Sequence, residues 1–85
     1  MTQQHHLDAQ IRSVLVDHGR LNQDASRLPA DHDLYQAGMT SHASVNVMLA
    51  LEGKFDVEFP DHMLNRKVFA SVQAIRSALI ELGAD

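Results

Sequence analysis

The sequence predicts an all-α domain of three main helices, one short helix and a long first loop. Three observations carry that expectation. Apolar residues recur at helical spacing in three separate stretches, glycine or proline stands at the joints, and strand-like alternation is confined to Val57 and Phe59. With 85 residues, the chain is sized for one domain spanning 1–85 and a thin hydrophobic core.

The first helix is expected from Gln3 to His18. Leu7, Ile11, Val14 and Leu15 fall at i, i+4, i+7 and i+8, one stripe of an amphipathic helix, and Gly19 is placed to end it. The loop that follows contains Asn22, Ser26, Pro29, Asp31, Asp33 and Gly38 and shows no helical stripe. It is long for a structureless connection, so Leu28, Leu34 and Tyr35 are expected to pin it to the core. The second helix should run from near Ser41 to about Lys54. Val45, Met48 and Leu49 form one stripe on it, and Val47, Leu51 and Phe55 another. A helix apolar on so many sides is expected to be central. Pro60 interrupts, and Asp61 is placed to cap a short helical turn holding Met63 and Leu64. Ser71 is a good N-cap for the last helix, which presents Val72, Ile75, Leu79 and Leu82 and closes at Gly83.

Composition excludes several classes of function. No apolar run is long enough to span a membrane, and Met1 to His6 lack the pattern of a signal peptide. The absence of cysteine removes a disulfide framework, a thiol nucleophile and a cysteine zinc site together, and it suits a reducing cytoplasm. A formal charge of −4 disfavours a partner held by its phosphates, such as nucleic acid. The acids concentrate in the middle. Residues 21–65 carry seven of them against Arg27 and Lys54, a net −5, which suits either a solvated face or a basic partner.

Candidate chemistry is sparse. The six histidines (His5, His6, His18, His32, His42 and His62) show no metal-ligand spacing, so no metal site is expected. Asp31, Asp33, Asp56, Glu58 and Asp61 lie in loops or at element ends, where capping and solubility explain them. The four glycines are too scattered for a phosphate loop, and so small a bundle has no depth for a catalytic triad. No catalytic residue is assigned.

The informative stretch runs from Asp33 to Val45. A glycine-containing turn delivers Ser41 to the start of the most apolar helix. Free amides and the helix dipole at such an end favour an anionic group, such as a phosphate ester. An N-cap at Ser41, or at Thr40 beside it, accounts for the same residues without further chemistry.

Gly38-Met39-Thr40-Ser41-His42 resembles the motif of the acyl carrier protein family, in which Gly-x-Asp-Ser-Leu opens the second helix and the serine carries 4′-phosphopantetheine. The resemblance continues through Val45, Val47, Met48 and Ala50-Leu51-Glu52, then Phe55-Asp56-Val57-Glu58-Phe59-Pro60-Asp61, and Ser71-Val72 at the last helix. Thr40 replaces the family's aspartate and His42 its large apolar residue. With Asp33-Leu34-Tyr35-x-Ala37-Gly38 and the run from Phe59 to Ile75, the chain looks most similar to the bacterial aminoacyl carrier proteins.

That resemblance implies a small acyl-carrier-like four-helix bundle and a monomeric, cytoplasmic, non-enzymatic carrier. A phosphopantetheinyl transferase would attach the arm to Ser41, with coenzyme A as its source. An amino acid:[carrier protein] ligase, similar to the catalytic core of a seryl-tRNA synthetase, would then load an aminoacyl thioester. Candidate partner contacts are Met39, Thr40, His42, Ala43, Asn46 and Val47 around the serine, with Arg66 and Lys67 beyond. The cargo's amine is expected to stay outside a core lined by Val45, Met48 and Leu49 among others, because burying an unpaired charge is costly. Two other readings compete: an acyl or peptidyl carrier of a fatty-acid, polyketide or peptide pathway, and an unmodified helical adaptor.

Overall fold

The computed structural model describes residues 3–84, with the side chains of residues 3–6, and so those of His5 and His6, outside the described set. Three helices follow one another: α1 (Gln3–Val14), α2 (Ser41–Phe55) and α3 (Val72–Glu81). A short 3-10 turn at Asp61–Met63 lies between α2 and α3, and no strand occurs among the described residues. The all-α expectation holds.

The stripe read on α1 is the buried one. Leu7, Ile11, Val14 and Leu15 all lie in the core. Its end differs from expectation, because the helix widens into a π turn at Leu15–Gly19 and the left-handed residue is Arg20, at φ 54°. Gly19 is buried, and a Cβ there would lie 3.4 Å from Leu15 Cδ2 and 3.6 Å from Leu21 Cγ. Packing against those two leucines holds Gly19 in the helix, and the reversal falls on the next residue.

The long loop is ordered by burial and by hydrogen bonds. Ala25, Leu28, Leu34, Ala37 and Met39 are buried, while Tyr35 is half-buried. One guanidinium nitrogen of Arg12 donates to the carbonyls of Ala25 (2.8 Å) and Leu28 (2.6 Å), tying the loop to α1. The Leu34 amide donates to the Ala70 carbonyl at 2.7 Å, tying it to the segment before α3. Backbone groups that form no helix are thereby satisfied, as buried ones must be.

On α2 the sequence reading needs correction. The core face is Ala43, Val47 and Leu51, at i, i+4 and i+8, whereas Val45 and Leu49 are about half exposed and Met48 is half-buried. Val45, Met48 and Leu49 therefore do not form a core stripe. Hydrophobic spacing alone left two faces of this helix equivalent, and the packing of α1 and the loop selected one. The helix ends at Asp56 in the left-handed conformation (φ 55°), and Glu52 Oε2 accepts from the Phe59 amide at 2.9 Å to steer the exit.

Asp61 does not cap with its side chain. Pro60 holds the N-cap position of the 3-10 turn, and Asp61 is its first residue. The turn's Met63 is buried, as are Phe59 and Phe69, whose rings meet edge-to-face at 5.3 Å. Leu64, expected within the turn with Met63, is its C-cap and is exposed. Ser71 caps α3 as read, its Oγ accepting from the Ala74 amide at 3.0 Å. The far end closes as a Schellman motif: Gly83 (φ 87°) donates to the Ile80 carbonyl and Ala84 to that of Leu79, both at 2.9 Å. Arg76 joins α3 to α1 through Asp8, one guanidinium nitrogen lying 2.8 Å from both carboxylate oxygens.

Two glycine substitutions separate backbone strain from helix propensity. Gly38 has φ 108°, and a Cβ there would sit 3.1 Å from both the amide nitrogen and Nδ2 of Asn22. Gly38→Ala should lower unfolding stability by about 1–2 kcal/mol from the conformation alone, and further from the crowding. Gly53 lies inside α2, and a Cβ there would meet nothing within 4 Å. Gly53→Ala should raise stability by about 0.5–1 kcal/mol. Denaturant unfolding of both variants checks the pair, and equal effects would contradict it.

Candidate functional site

Three hydroxyl groups stand together where the loop meets α2, and each has a different local role. The Thr40 backbone is extended (φ −84°, ψ 166°), and its Oγ1 accepts from the Ala43 amide at 3.0 Å. Thr40 is the N-cap. Ser44 turns its Oγ back to the Ser41 carbonyl, donating at 2.7 Å. Ser41, the first helical residue, is exposed, and its hydroxyl has no hydrogen-bond partner among the described residues. The cap therefore falls to Thr40, and the Ser41 hydroxyl is left unengaged.

The turn before the helix explains this placement. Leu34's carbonyl accepts from the amides of Ala37 and Met39, both at 3.1 Å, and the Gly38 amide donates to Tyr35. Met39 enters the core, at 3% exposure, so Thr40 and Ser41 emerge at the surface. The Ser44 amide donates to the Thr40 carbonyl and the Ala43 amide to Thr40 Oγ1, while those of Ser41 and His42 have no partner among the described residues. Two free amides at the positive end of a 15-residue helix favour an anion beside Ser41.

An open groove of about 370 Å³ starts at the serine. Tyr35, Val45, Met48, Leu64 and Phe69 give it apolar walls. Ser41, Ser44, Asn65 and Arg66 supply its polar atoms, and no carboxylate lines it. The Arg66 guanidinium lies over the Tyr35 ring, 3.8 Å from the centroid. Stepping along α2 from Ser41 by four and seven residues reaches Val45 and Met48, so the groove wall was available from helical spacing. The contribution of Tyr35, from an irregular loop, had no comparable signal.

The sequence-derived partner residues divide. Thr40, His42, Asn46, Arg66 and Lys67 are exposed. Met39, Ala43 and Val47 are at most 3% exposed and belong to the core, so their side chains offer no surface to a partner. Val45 and Leu49, which the sequence reading had placed in the core, are exposed apolar residues of α2, and Leu64 is a third exposed apolar residue. Arg66 and Lys67, read as one basic pair, face different grooves: Lys67 lines a second one with His62, Ser77 and Glu81. No group of three or more potential metal ligands occurs among the described residues. No helix among them is long and apolar enough to cross a membrane.

A family model described as a phosphopantetheine attachment site matches residues 10–79. An aminoacyl carrier protein of Agrobacterium fabrum is 45% identical over 73 residues, covering 86% of this chain and 88% of that one. A crystal structure of an engineered Bradyrhizobium japonicum glycine:[carrier protein] ligase, complexed with carrier protein from Agrobacterium tumefaciens and ATP, contains a chain with TM-score 0.86 and 45% identity. The match covers 89% of this chain and 99% of that chain. A solution structure of a protein from Agrobacterium tumefaciens gives TM-score 0.69 at 44% identity, covering 87% and 89% of the two chains.

The cap is testable by itself. Thr40→Ala should cost about 1 kcal/mol of stability by leaving the Ala43 amide without its acceptor, and Thr40→Asp should restore the loss. Equilibrium unfolding reads both, and a neutral Thr40→Ala would show that Thr40 does not carry the cap.

Proposed function

The chain belongs to the carrier proteins that bear a phosphopantetheine attachment site, and we propose that Ser41 is its attachment residue and that the carried group is an aminoacyl thioester. The observation that carries this reading is the unengaged, exposed Ser41 hydroxyl between two hydroxyls already committed to the backbone. The family's aspartate before the serine is replaced here by Thr40, whose side chain keeps the capping function.

In the modification, Ser41 Oγ forms a bond to the phosphorus of the coenzyme A arm as a phosphorus–oxygen bond of the pyrophosphate breaks. The serine proton passes to a base of the transferase, and adenosine 3′,5′-bisphosphate departs. No base is needed within this chain. The bound arm supplies a terminal thiol for the thioester, which a protein without cysteine otherwise lacks. The chain's own contribution is presentation: a rigid helix end, two free amides beside the attachment atom and an open groove leading away from it.

The proposed loading partner is an amino acid:[carrier protein] ligase, supported by the similarity to a carrier protein found in complex with an engineered glycine:[carrier protein] ligase. Thr40, His42 and Asn46 flank the arm on the surface the ligase would approach, with Val45 and Leu49 adding apolar area. Glu52, the one acid of α2, is turned to the Phe59 amide, so contact with this helix relies little on long-range charge. The aminoacyl amine stays outside the bundle, since every buried side chain among the described residues is apolar and none could pair with it. A lack of cysteine suits the reducing cytoplasm, where we place the carrier.

Incubation with coenzyme A and a broad-range transferase should add one arm to the intact mass of the wild type and none to Ser41→Ala. The holo form should then gain an amino acid from such a ligase with ATP, in a thioester cleaved by hydroxylamine. A mass gain that survives Ser41→Ala overturns the attachment residue. Loading by fatty acyl groups to the exclusion of amino acids overturns the aminoacyl reading.

A further inference from the structure

We propose that Arg66, stacked on Tyr35, is the residue that pairs with the phosphodiester joining the arm to Ser41 and so lays the inner part of the arm into the groove. This rests on the reading of Ser41 as the attachment residue. Arg66 and Ser41 line the same open groove, and Arg66 is its one charged side chain. Among the described residues Arg66 has no carboxylate within salt-bridge distance, unlike Arg76 with Asp8 and Arg27 with Asp24. Its charge is therefore not already committed.

The Tyr35 ring makes Arg66 more than a passing surface cation. The guanidinium carbon lies over the face of the ring, 3.8 Å from its centroid. That contact uses none of the guanidinium's N–H donors in a hydrogen bond among the described residues, so they are available to an anion. A phosphodiester keeps one negative charge at neutral pH, and planar guanidinium donors match phosphate oxygens well. Between the two ends, Val45, Met48 and Leu64 present apolar surface suited to the methyl-bearing segment of the arm. The groove holds no carboxylate to attract the amine of the cargo, so the outer end of the arm remains in solvent. Because Arg66 is exposed, the pairing weakens as salt screens it. Lys67 provides an internal control, being adjacent in sequence but facing the other groove.

Phosphorus NMR of the holo protein, with nitrogen-edited spectra of arginine side chains, tests this directly. The Arg66 Nε–H resonance should move on conversion from apo to holo form, and the phosphodiester resonance should depend on salt. Arg66→Gln should at least halve that salt dependence, Arg66→Lys should recover part of it, and Lys67→Gln should leave it unchanged. Unchanged phosphorus spectra in Arg66→Gln, or an equal effect of Lys67→Gln, would overturn the assignment while leaving Ser41 modified. A protein that takes up no phosphorus signal at all would overturn the attachment reading as well, so the two failures are distinct.

Discussion

Leu34 is the residue on which the presentation of the serine depends. Its side chain is 1% exposed in the core, its amide donates to the Ala70 carbonyl, and its own carbonyl closes the turn by accepting from Ala37 and Met39. One residue thus fixes the depth of the loop, its attachment to the segment before α3 and the direction in which the chain enters α2. Burial supplies the driving force and the hydrogen bonds supply the geometry, since an apolar anchor alone would tolerate several backbone paths. Gly38 completes the arrangement with a conformation and a closeness to Asn22 that a Cβ would oppose.

The helices α1 and α3 were legible because each has one apolar stripe, and α3 has clear end signals as well. Leu7, Ile11 and Val14 on one, Val72, Ile75 and Leu79 on the other, with Ser71 as cap and Gly83 as stop, all stand as read. On α2 the same reasoning ran out. A helix apolar over most of its circumference carries no local information about which face meets the core, and Val45 and Leu49 came out on the surface while Ala43 went in. Reversals at Arg20 and Asp56 were equally hidden, since neither is a glycine, the residue that usually marks a left-handed helix end. The position of Ser41 at the start of α2 was legible from the glycine-containing turn before it. The groove was not, because Tyr35, Arg66 and Phe69 come from irregular segments whose approach to α2 is a tertiary fact.

These observations give α2 a division of labour around its axis. Ala43, Val47 and Leu51 anchor the helix, Ser41, Val45 and Met48 run along the groove, and His42 and Asn46 remain on the outer surface. Val45 and Leu49 leave about half of their surface outside the bundle. They suit a surface that meets the arm on one side and a loading enzyme on the other. Thr40 caps α2 with a neutral hydroxyl and the first turn carries no acid, so no fixed negative charge there opposes an anion beside Ser41.

The central claim is that local hydrogen bonding selects one hydroxyl of three at the start of α2. Fragmentation mass spectrometry of the peptide spanning Thr40, Ser41 and Ser44, taken from transferase-treated protein, measures that selection directly. The arm should be located on Ser41, with Thr40 and Ser44 unmodified. An arm found on Thr40 or Ser44 would contradict the account.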